Sequence, residues 1–210
     1  MQVSPKFPSF FGLGLGVKFY PSSTKRGART HIGMTDAWVE EDALSSNDGW
    51  TMAIREATKR DYPEILKIMN GAVSSKELEG FVPPQEITKK FLDNLKSRLE
   101  LKEHGVLIAD LSMEPVGFVF FIQENDCLEI EEIDVLADYQ KRGIGRALVS
   151  KVERIAKDRK VAFLKTGTSI NNKGIPWRAY GFWLRMGFKD TGERTGSGYG
   201  FSYCKFIKRL

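Results

Sequence analysis

The sequence predicts an α/β fold in which helices flank a mixed, mainly antiparallel sheet of six to seven strands. Three observations predict this class. Strand-length apolar segments recur along residues 52–207, and segments with helical spacing lie between several of them. Three of the strand segments follow one another across short turns, which indicates an antiparallel meander. A helical segment then separates two further strands, and such a crossover requires those two strands to be parallel.

Residues 1–50 are predicted to form a flexible extension that precedes the domain at residues 51–210. The stretch is rich in Gly, Ser and Pro, which break any helical or strand period. Residues 1–35 contain five basic residues and no acidic one. Removing those five from the 32 basic residues leaves 27, equal to the 27 acidic residues, so residues 1–35 account for the net charge of +5. A cleavable targeting sequence is the alternative interpretation of this basic stretch.

The regular pattern begins with a strand at residues 52–57, and a helix follows directly. Thr58 is a suitable N-cap for that helix, and Pro63 fits its first turn. After a loop-like linker at residues 71–83, a second helix is predicted over residues 84–103. This helix has apolar side chains along one stripe.

The meander comprises strands at residues 106–111, 116–123 and 128–136. A helix over residues 143–157 then leads to a strand at residues 161–166. The chain finishes with a helix near residues 175–186 and a strand at residues 199–207. Residues 192–200 are rich in glycine and are expected to form a loop.

Composition excludes several classes of function. With 41% hydrophobic and 28% charged residues, the chain suits a globular domain. It has no apolar run of about 18 residues, the length that a membrane-spanning helix needs. Its two cysteines and two histidines show no metal-ligand or triad spacing. Because residues 36–210 are formally neutral, nucleic acid is not an expected partner. We expect a cytoplasmic protein without a metal ion or membrane association.

Two glycines mark the segment that carries chemistry, where the third meander strand leads into the helix near residue 143. Gly143 and Gly145 leave backbone N–H groups uncovered at the helix start, where the helix dipole is positive. Lys141, Arg142 and Arg146 add positive charge beside them. This arrangement favours a phosphate ligand, and above all a diphosphate. A purely structural turn is the other interpretation of the two glycines.

Two familiar phosphate-binding motifs do not fit this spacing. A P-loop needs Gly-Lys-Ser or Gly-Lys-Thr after four intervening residues, and the segment has neither. The dinucleotide-binding fingerprint would place Gly or Ala where Leu148 stands. The antiparallel meander that precedes the segment also disfavours a Rossmann domain.

The junction reads Gln140-Lys141-Arg142-Gly143-Ile144-Gly145. It matches every defined position of Gln/Arg-x-x-Gly-x-Gly/Ala, the signature of the GNAT superfamily of acyl-CoA-dependent N-acyltransferases. The order of elements agrees with that family, and Met186-Gly187-Phe188 is similar to its closing Leu/Met-Gly-Phe. The chain from about residue 52 to 210 therefore resembles a GNAT domain, which implies a GNAT-like fold and acetyl-CoA as acyl donor.

The resemblance implies a coenzyme A site that spans the strand and the helix start. Backbone amides of the helix start would hold the diphosphate, and the pantetheine arm would lie along the strand. The N–H of Val135 would face the thioester carbonyl and stabilise its oxyanion. A CoA-contacting asparagine is also usual in the family, and Pro176 fills its expected position here. The residues implied for the cofactor are Ile133, Asp134, Val135, Gln140, Lys141, Arg142, Gly143, Ile144, Gly145, Arg146 and Asn172.

The resemblance also implies a base and an acid. Some family members carry a glutamate base eleven residues before the signature glutamine, and that residue here is Glu129. Strand alternation would put Glu131 on the same face and Glu132 on the other, unless a bulge intervenes. The family often has a tyrosine acid where this chain has Trp183, so Tyr180, one turn earlier, is the substitute candidate.

The sequence therefore predicts an acetyl-CoA-dependent N-acetyltransferase that acts by direct attack in a ternary complex. The acceptor would be a primary amine of a small molecule or a protein, and the enzyme could act as a homodimer. The alternative is a non-catalytic module that senses acyl-CoA or regulates a partner. Trp183 in place of the tyrosine is the feature that supports this alternative.

Overall fold

A computed structural model of the chain describes residues 44–45, 51–72, 104–171, 173–196 and 201–210. The described helices are α1 (Tyr62–Gly71), α2 (Ile144–Asp158) and α3 (Ala179–Arg185). The described strands are β1 (Leu44–Ser45), β2 (Thr51–Glu56), β3 (His104–Leu111), β4 (Glu114–Glu124), β5 (Cys127–Val135), β6 (Phe163–Asn171), β7 (Lys189–Gly196) and β8 (Phe201–Arg209). They lie side by side in the order β1-β2-β3-β4-β5-β6-β8-β7.

This mixed, mainly antiparallel sheet confirms the predicted fold class. Seven strands are long, and β1 adds two residues that pair with the start of β2. The pairs β2–β3, β3–β4 and β4–β5 are antiparallel, and β5–β6 is parallel because α2 connects them. The sheet thus begins before residue 51, and the division into an extension and a domain stays a prediction. None of the described helices is long and apolar enough to span a bilayer.

The last part of the chain differs from the sequence prediction in two elements. Residues 189–196 form β7, an edge strand that pairs with β8, although the sequence predicts a loop from residue 192. Helix α3 begins at Ala179 instead of near residue 175. The residues before it pair with the end of β6, because the Trp177 amide donates to the Ser169 carbonyl over 2.8 Å. The predicted helix at residues 84–103 lies outside the described residues.

The parallel strands β5 and β6 pair only at their beginnings. Their register covers three pairs, Cys127–Phe163, Leu128–Leu164 and Glu129–Lys165. Beyond them β5 continues against β4 as far as Val135, and β6 continues against β8 as far as Asn171. The sheet therefore opens between β5 and β6 in the region where both strands approach the start of α2.

A β-bulge in β5 lies at the same level as this opening. Phe120 of β4 opposes Glu132, and the next residue, Phe121, opposes Ile130, so Glu131 is the extra residue. A bulge increases the local twist of a strand and breaks the alternation of its side chains. In β5 the bulge follows the last pair with β6, at the point where the two strands separate.

Each face of the sheet carries its own apolar core. One face packs against α2 and α3 through residues that include Leu148, Val152 and Trp183. The other face packs against α1, whose Ile65 and Ile68 meet a pair of strand aromatics, Phe118 and Phe120. The helices thereby fix the end of β5 from both sides.

Leu148→Ala should destabilise the protein by about 2–5 kcal/mol, because Leu148 is fully buried on the sheet-facing side of α2 and its loss leaves a cavity. The exposed Lys157 on the same helix is the matched control, and Lys157→Ala should change stability by less than about 0.5 kcal/mol. Urea unfolding of both variants measures the difference. Equal stabilities would contradict the buried position of Leu148.

Candidate active site

The opening between β5 and β6 forms a cavity of about 600 Å³. Four parts of the chain build its wall: the second half of β5, the start of α2, β6 at Thr166 and Gly167, and the segment from Trp177 through α3. The Thr166 hydroxyl donates to the Ile130 carbonyl over 3.1 Å, which ties the two strands where their ladder ends. Among the described residues, no three His, Cys, Asp or Glu side chains are arranged to hold a metal ion.

The start of α2 presents free amides to this cavity. Gly143 is the N-cap residue and has φ +87°, in the left-handed region that favours glycine. Lys141 also has positive φ, at 63°. No side chain from the described residues caps α2, so its first N–H groups are available to a ligand. A Cβ at Gly143 would have no atom within 4 Å, which leaves the approach to these amides open.

Three cations line the cavity, and a fourth, Arg142, belongs to the turn before α2. Lys141 and Arg146 line the cavity on the α2 side, and Arg185 lines it on the α3 side. The Arg142 guanidinium lies 5.3 Å from the ring centroid of Tyr139. Within the described part of the chain, none of the four forms an ion pair, so their charge is left to attract an anion. Sequence reasoning missed Arg185, which follows the signature by forty residues.

Two amides of β5 face the opening. The Leu136 amide donates to the Val116 carbonyl in β4, over 2.9 Å. Since N–H groups alternate between the two edges of a strand, the amides of Ile133 and Val135 point away from β4, toward the gap. The Val135 carbonyl points the same way and accepts a hydrogen bond from the Gln140 side chain. The end of β5 therefore offers an unpaired backbone edge to an extended ligand.

The Gln140 side chain connects the end of β5 to the end of α1 by two hydrogen bonds. Its Nε2 donates to the Val135 carbonyl and to the Ala72 carbonyl at the end of α1, over 2.8 Å in each case. Arg178 donates to the same Ala72 carbonyl over 2.7 Å. The signature glutamine thus fixes the turn between β5 and α2 and joins it to α1. Its predicted role in cofactor binding remains a prediction.

Three carboxylates of β5 line the cavity. Glu131, Glu132 and Asp134 are 3%, 2% and 8% exposed. Residues that face each other in an antiparallel pair share a face of the sheet, so Glu132, opposite Phe120, and Asp134, opposite Phe118, lie on the α1 face. Simple alternation predicts that Glu132 lies on the face opposite to Glu129. The bulge at Glu131 overturns this, since Glu129 pairs with Ile122 and shares the α1 face.

The Asp134 carboxyl has a strongly altered acidity. Burial raises its pKa to about 7, and the positive charge of Arg178 partly offsets that effect. Asp134 Oδ2 has no hydrogen-bond partner among the described residues. A carboxyl with this pKa changes its charge near neutral pH, which is the range useful for proton transfer.

The two predicted catalytic residues lie apart from this wall. Glu129 belongs to the last β5–β6 pair and is not among the described residues that line the cavity. The Tyr180 hydroxyl donates to Asp190 over 2.8 Å, and the same carboxylate also accepts from Arg194 and the Gly192 amide. Both catalytic roles remain predictions.

Other predicted residues are placed as follows. Trp183 lines the cavity with its ring packed edge-on against Phe182 and Phe188. Asn172 lies outside the described residues. The remaining residues predicted for the cofactor belong to the two ligand-facing segments, the end of β5 and the turn into α2. All of these residues except Arg142 line the cavity.

Comparisons with known proteins agree with this geometry. A model of the acetyltransferase (GNAT) family matches residues 65–188, more than half of the chain. An uncharacterized N-acetyltransferase of Methanocaldococcus jannaschii is 30% identical over 168 residues, covering 76% of this chain and 68% of that protein. Another, from Archaeoglobus fulgidus, is 30% identical over 125 residues, covering 55% of this chain and 82% of that protein.

Among solved structures, one similar fold is the PaiA N-acetyltransferase of Thermoplasma acidophilum, determined in complex with coenzyme A. The TM-score is 0.61 at 16% identity, and the match covers 76% of this chain and 99% of that chain. At this level of identity the likeness establishes a shared fold.

Gln140→Glu should lower the free energy of unfolding by about 1–3 kcal/mol or more, because an ionised carboxylate cannot donate to the Val135 and Ala72 carbonyls. Gln140→Met removes the donors without adding a charge and should cost less. The deficit of Gln140→Glu should shrink below about pH 4, where a protonated carboxyl can donate again. Urea unfolding at pH 7 and pH 4 gives the free energies of unfolding of the wild type and both variants. If Gln140→Glu is as stable as the wild type at pH 7, the two hydrogen bonds of Gln140 do not stabilise the fold.

Proposed function

The chain belongs to the acetyltransferase (GNAT) family, and from this we propose that it transfers the acetyl group of acetyl-CoA to an amine. The observation that carries the proposal is the continuity of one cavity. The uncapped start of α2 lies at one end of it and the unpaired edge of β5 lies along it. A phosphate-bearing, extended thioester matches both surfaces at once.

Coenzyme A fits the residues that are present. The free amides at the start of α2 and the cations that line the cavity, Lys141, Arg146 and Arg185, suit its diphosphate. The amides of Ile133 and Val135 suit the pantetheine arm, which would add to the edge of β5 as a further strand does. The Thermoplasma acidophilum relative, which was determined with coenzyme A, supports this choice of ligand.

The reaction that we propose is direct transfer in a ternary complex. An amine has a pKa near 10 and must lose a proton before its nitrogen attacks the thioester carbonyl. A gap-facing amide of β5 would stabilise the oxyanion that forms at that carbonyl. Carboxylates line the same cavity and are available to take the proton. The acceptor is proposed to be an amine of a small molecule or a protein.

Gly145→Glu should weaken coenzyme A binding at least tenfold while the protein stays folded, since it places a carboxylate where the diphosphate would bind. A Cβ at Gly145 would lie 3.6 Å from Phe182, an ordinary contact, so the fold can accept the change. Gly196→Glu in the exposed edge strand is the matched control and should bind like wild type. Calorimetric titration with coenzyme A and circular dichroism give the two measurements.

Catalysis is tested by release of the coenzyme A thiol from acetyl-CoA with a panel of amines. Wild type and Gly196→Glu should release thiol with at least one amine, and Gly145→Glu should not at the same acetyl-CoA concentration. Tight acetyl-CoA binding with no release for any amine would contradict the enzymatic proposal.

Tyr180→Phe should lower stability by about 1 kcal/mol through the lost bond to Asp190, with kcat close to that of wild type. If Tyr180 is instead the general acid, kcat should fall by about 100-fold or more. Asp190→Asn is the control, since it weakens the same contact and leaves the tyrosine hydroxyl in place. Thiol-release kinetics and urea unfolding of both variants decide between the two roles.

A further inference from the structure

We propose that Asp134 accepts the proton of the acceptor amine and that Arg178, which lines the same cavity, favours the ionised form of its carboxyl. The inference rests on the proposed acetyl transfer and names the group that starts it. Family resemblance gives no reason to choose Asp134, whose predicted role concerns only its backbone. The choice comes from the position of its side chain relative to the opened edge of β5.

Asp134 lies between the two amides that face the gap. Ile133 precedes it and Val135 follows it, and adjacent Cα atoms are about 3.8 Å apart. Whichever of the two amides holds the thioester carbonyl, Asp134 is one residue away from that amide. Its side chain leaves the strand on the α1 face, whereas the strand edge itself carries the donor.

The two sides of the cavity therefore separate the reactants. The α2 end holds the phosphates, and the edge of β5 holds the arm that ends in the thioester. An amine that enters from the α1 face meets the carbonyl beside Asp134. The Asp134 carboxylate can accept a hydrogen bond from this amine, because it lies in the cavity wall and its Oδ2 has no hydrogen-bond partner among the described residues.

Distance disfavours Glu129 as the base. It lies four residues before Ile133 and six before Val135, and the bulge takes up one of those residues. At about 3.3 Å per residue the separation is roughly 10–17 Å. Glu129 would need at least one bridging water to cover that span, whereas Asp134 adjoins both residues whose amides face the gap. Glu132 is the serious rival, because it shares the α1 face with Asp134 and adjoins Ile133.

The electrostatic surroundings of Asp134 are defined. Glu131 and Glu132 from its own strand and Arg178 from the turn before α3 line the same part of the cavity. The packed neighbours from α1 and β4 on this face are apolar, and β8 contributes the Tyr203 phenol. Tyr139, Lys141 and Arg146 line the α2 side of the cavity, and Arg185 lines its α3 side. Arg178 is the cation whose charge lowers the pKa of Asp134 against the effect of burial.

The proton balance of the step is simple. The ammonium form of the acceptor gives one proton to the Asp134 carboxylate, and the freed nitrogen pair forms the C–N bond. The C–S bond then breaks and its electron pair leaves with sulfur. The second proton lost by nitrogen ends on that thiolate, and Asp134 returns its own proton to solvent. The products are an N-acetyl amide, free coenzyme A and one released proton.

The test is the pH dependence of kcat, measured by thiol release with an amine found active in the panel. Because Asp134 acts as the carboxylate, kcat of the wild type should rise as this carboxyl loses its proton. The pH profile of kcat should therefore have an ascending limb centred near pH 7. Asp134→Asn should lower kcat by about 100-fold and remove that limb, whereas Asp134→Glu should keep a limb. Coenzyme A titration shows that each variant is folded and binds the donor.

Substitutions of Arg178 test whether its charge acts on Asp134. Loss of a merely structural contact would not shift the limb along the pH axis. Arg178→Gln removes the charge that favours the ionised carboxyl, so the limb should shift to higher pH. Arg178→Lys keeps the charge and should leave the limb near its wild-type position. Glu132→Gln and Glu129→Gln should each retain a limb, since neither residue is the proposed base.

The outcomes separate the two proposals. A wild-type limb retained in Asp134→Asn, or lost in Glu132→Gln or Glu129→Gln instead, overturns the role of Asp134 and leaves acetyl transfer intact. An unmoved limb in Arg178→Gln overturns the role of Arg178. A wild-type protein that binds acetyl-CoA but releases no thiol with any amine contradicts the proposed function itself.

Discussion

The structure depends on the early end of hydrogen bonding between β5 and β6. After the Glu129–Lys165 pair the two strands take different partners, and each continues with one edge open. Exposed backbone amides inside a protein are costly, so such an opening persists only where something satisfies them. Here the same break produces the cavity, directs the amides of Ile133 and Val135 into it, and leads the chain to the start of α2.

Several contacts keep this opening in shape. Thr166 ties β6 to β5 at the last shared level, and Gln140 holds the far end of β5 against α1. The bulge at Glu131 gathers acidic side chains on one face while apolar residues still fill both cores. Cations collect at one end of the cavity and carboxylates along its wall. This separation of charge suits a ligand with phosphates at one end and an amine partner at the other.

The sequence was sufficient for the parts of the fold that local patterns determine. Apolar periodicity located the strands of the meander and α2, and the glycines located the cofactor end of the site. It was insufficient where tertiary contacts decide. The edge strand β7 lacks apolar alternation because most of its side chains face solvent, and Pro176 pairs with Ile170 instead of entering α3. The bulge changes which acids share a face, and Arg178 and Arg185 reach the cavity only through folding.

The edge of the sheet at β7 has a consequence for how molecules of this protein meet. An edge strand carries unsatisfied N–H and C=O groups that invite another chain to pair with it. In β7 the register shifts between Asp190 and Arg194, and Asp190 holds that irregular stretch by bonds to Gly192 and Arg194. Charged side chains such as Lys189 and Glu193 stand exposed along it. The kinked, charged border is a poor template for intermolecular strand pairing, which protects the protein from aggregating through this side.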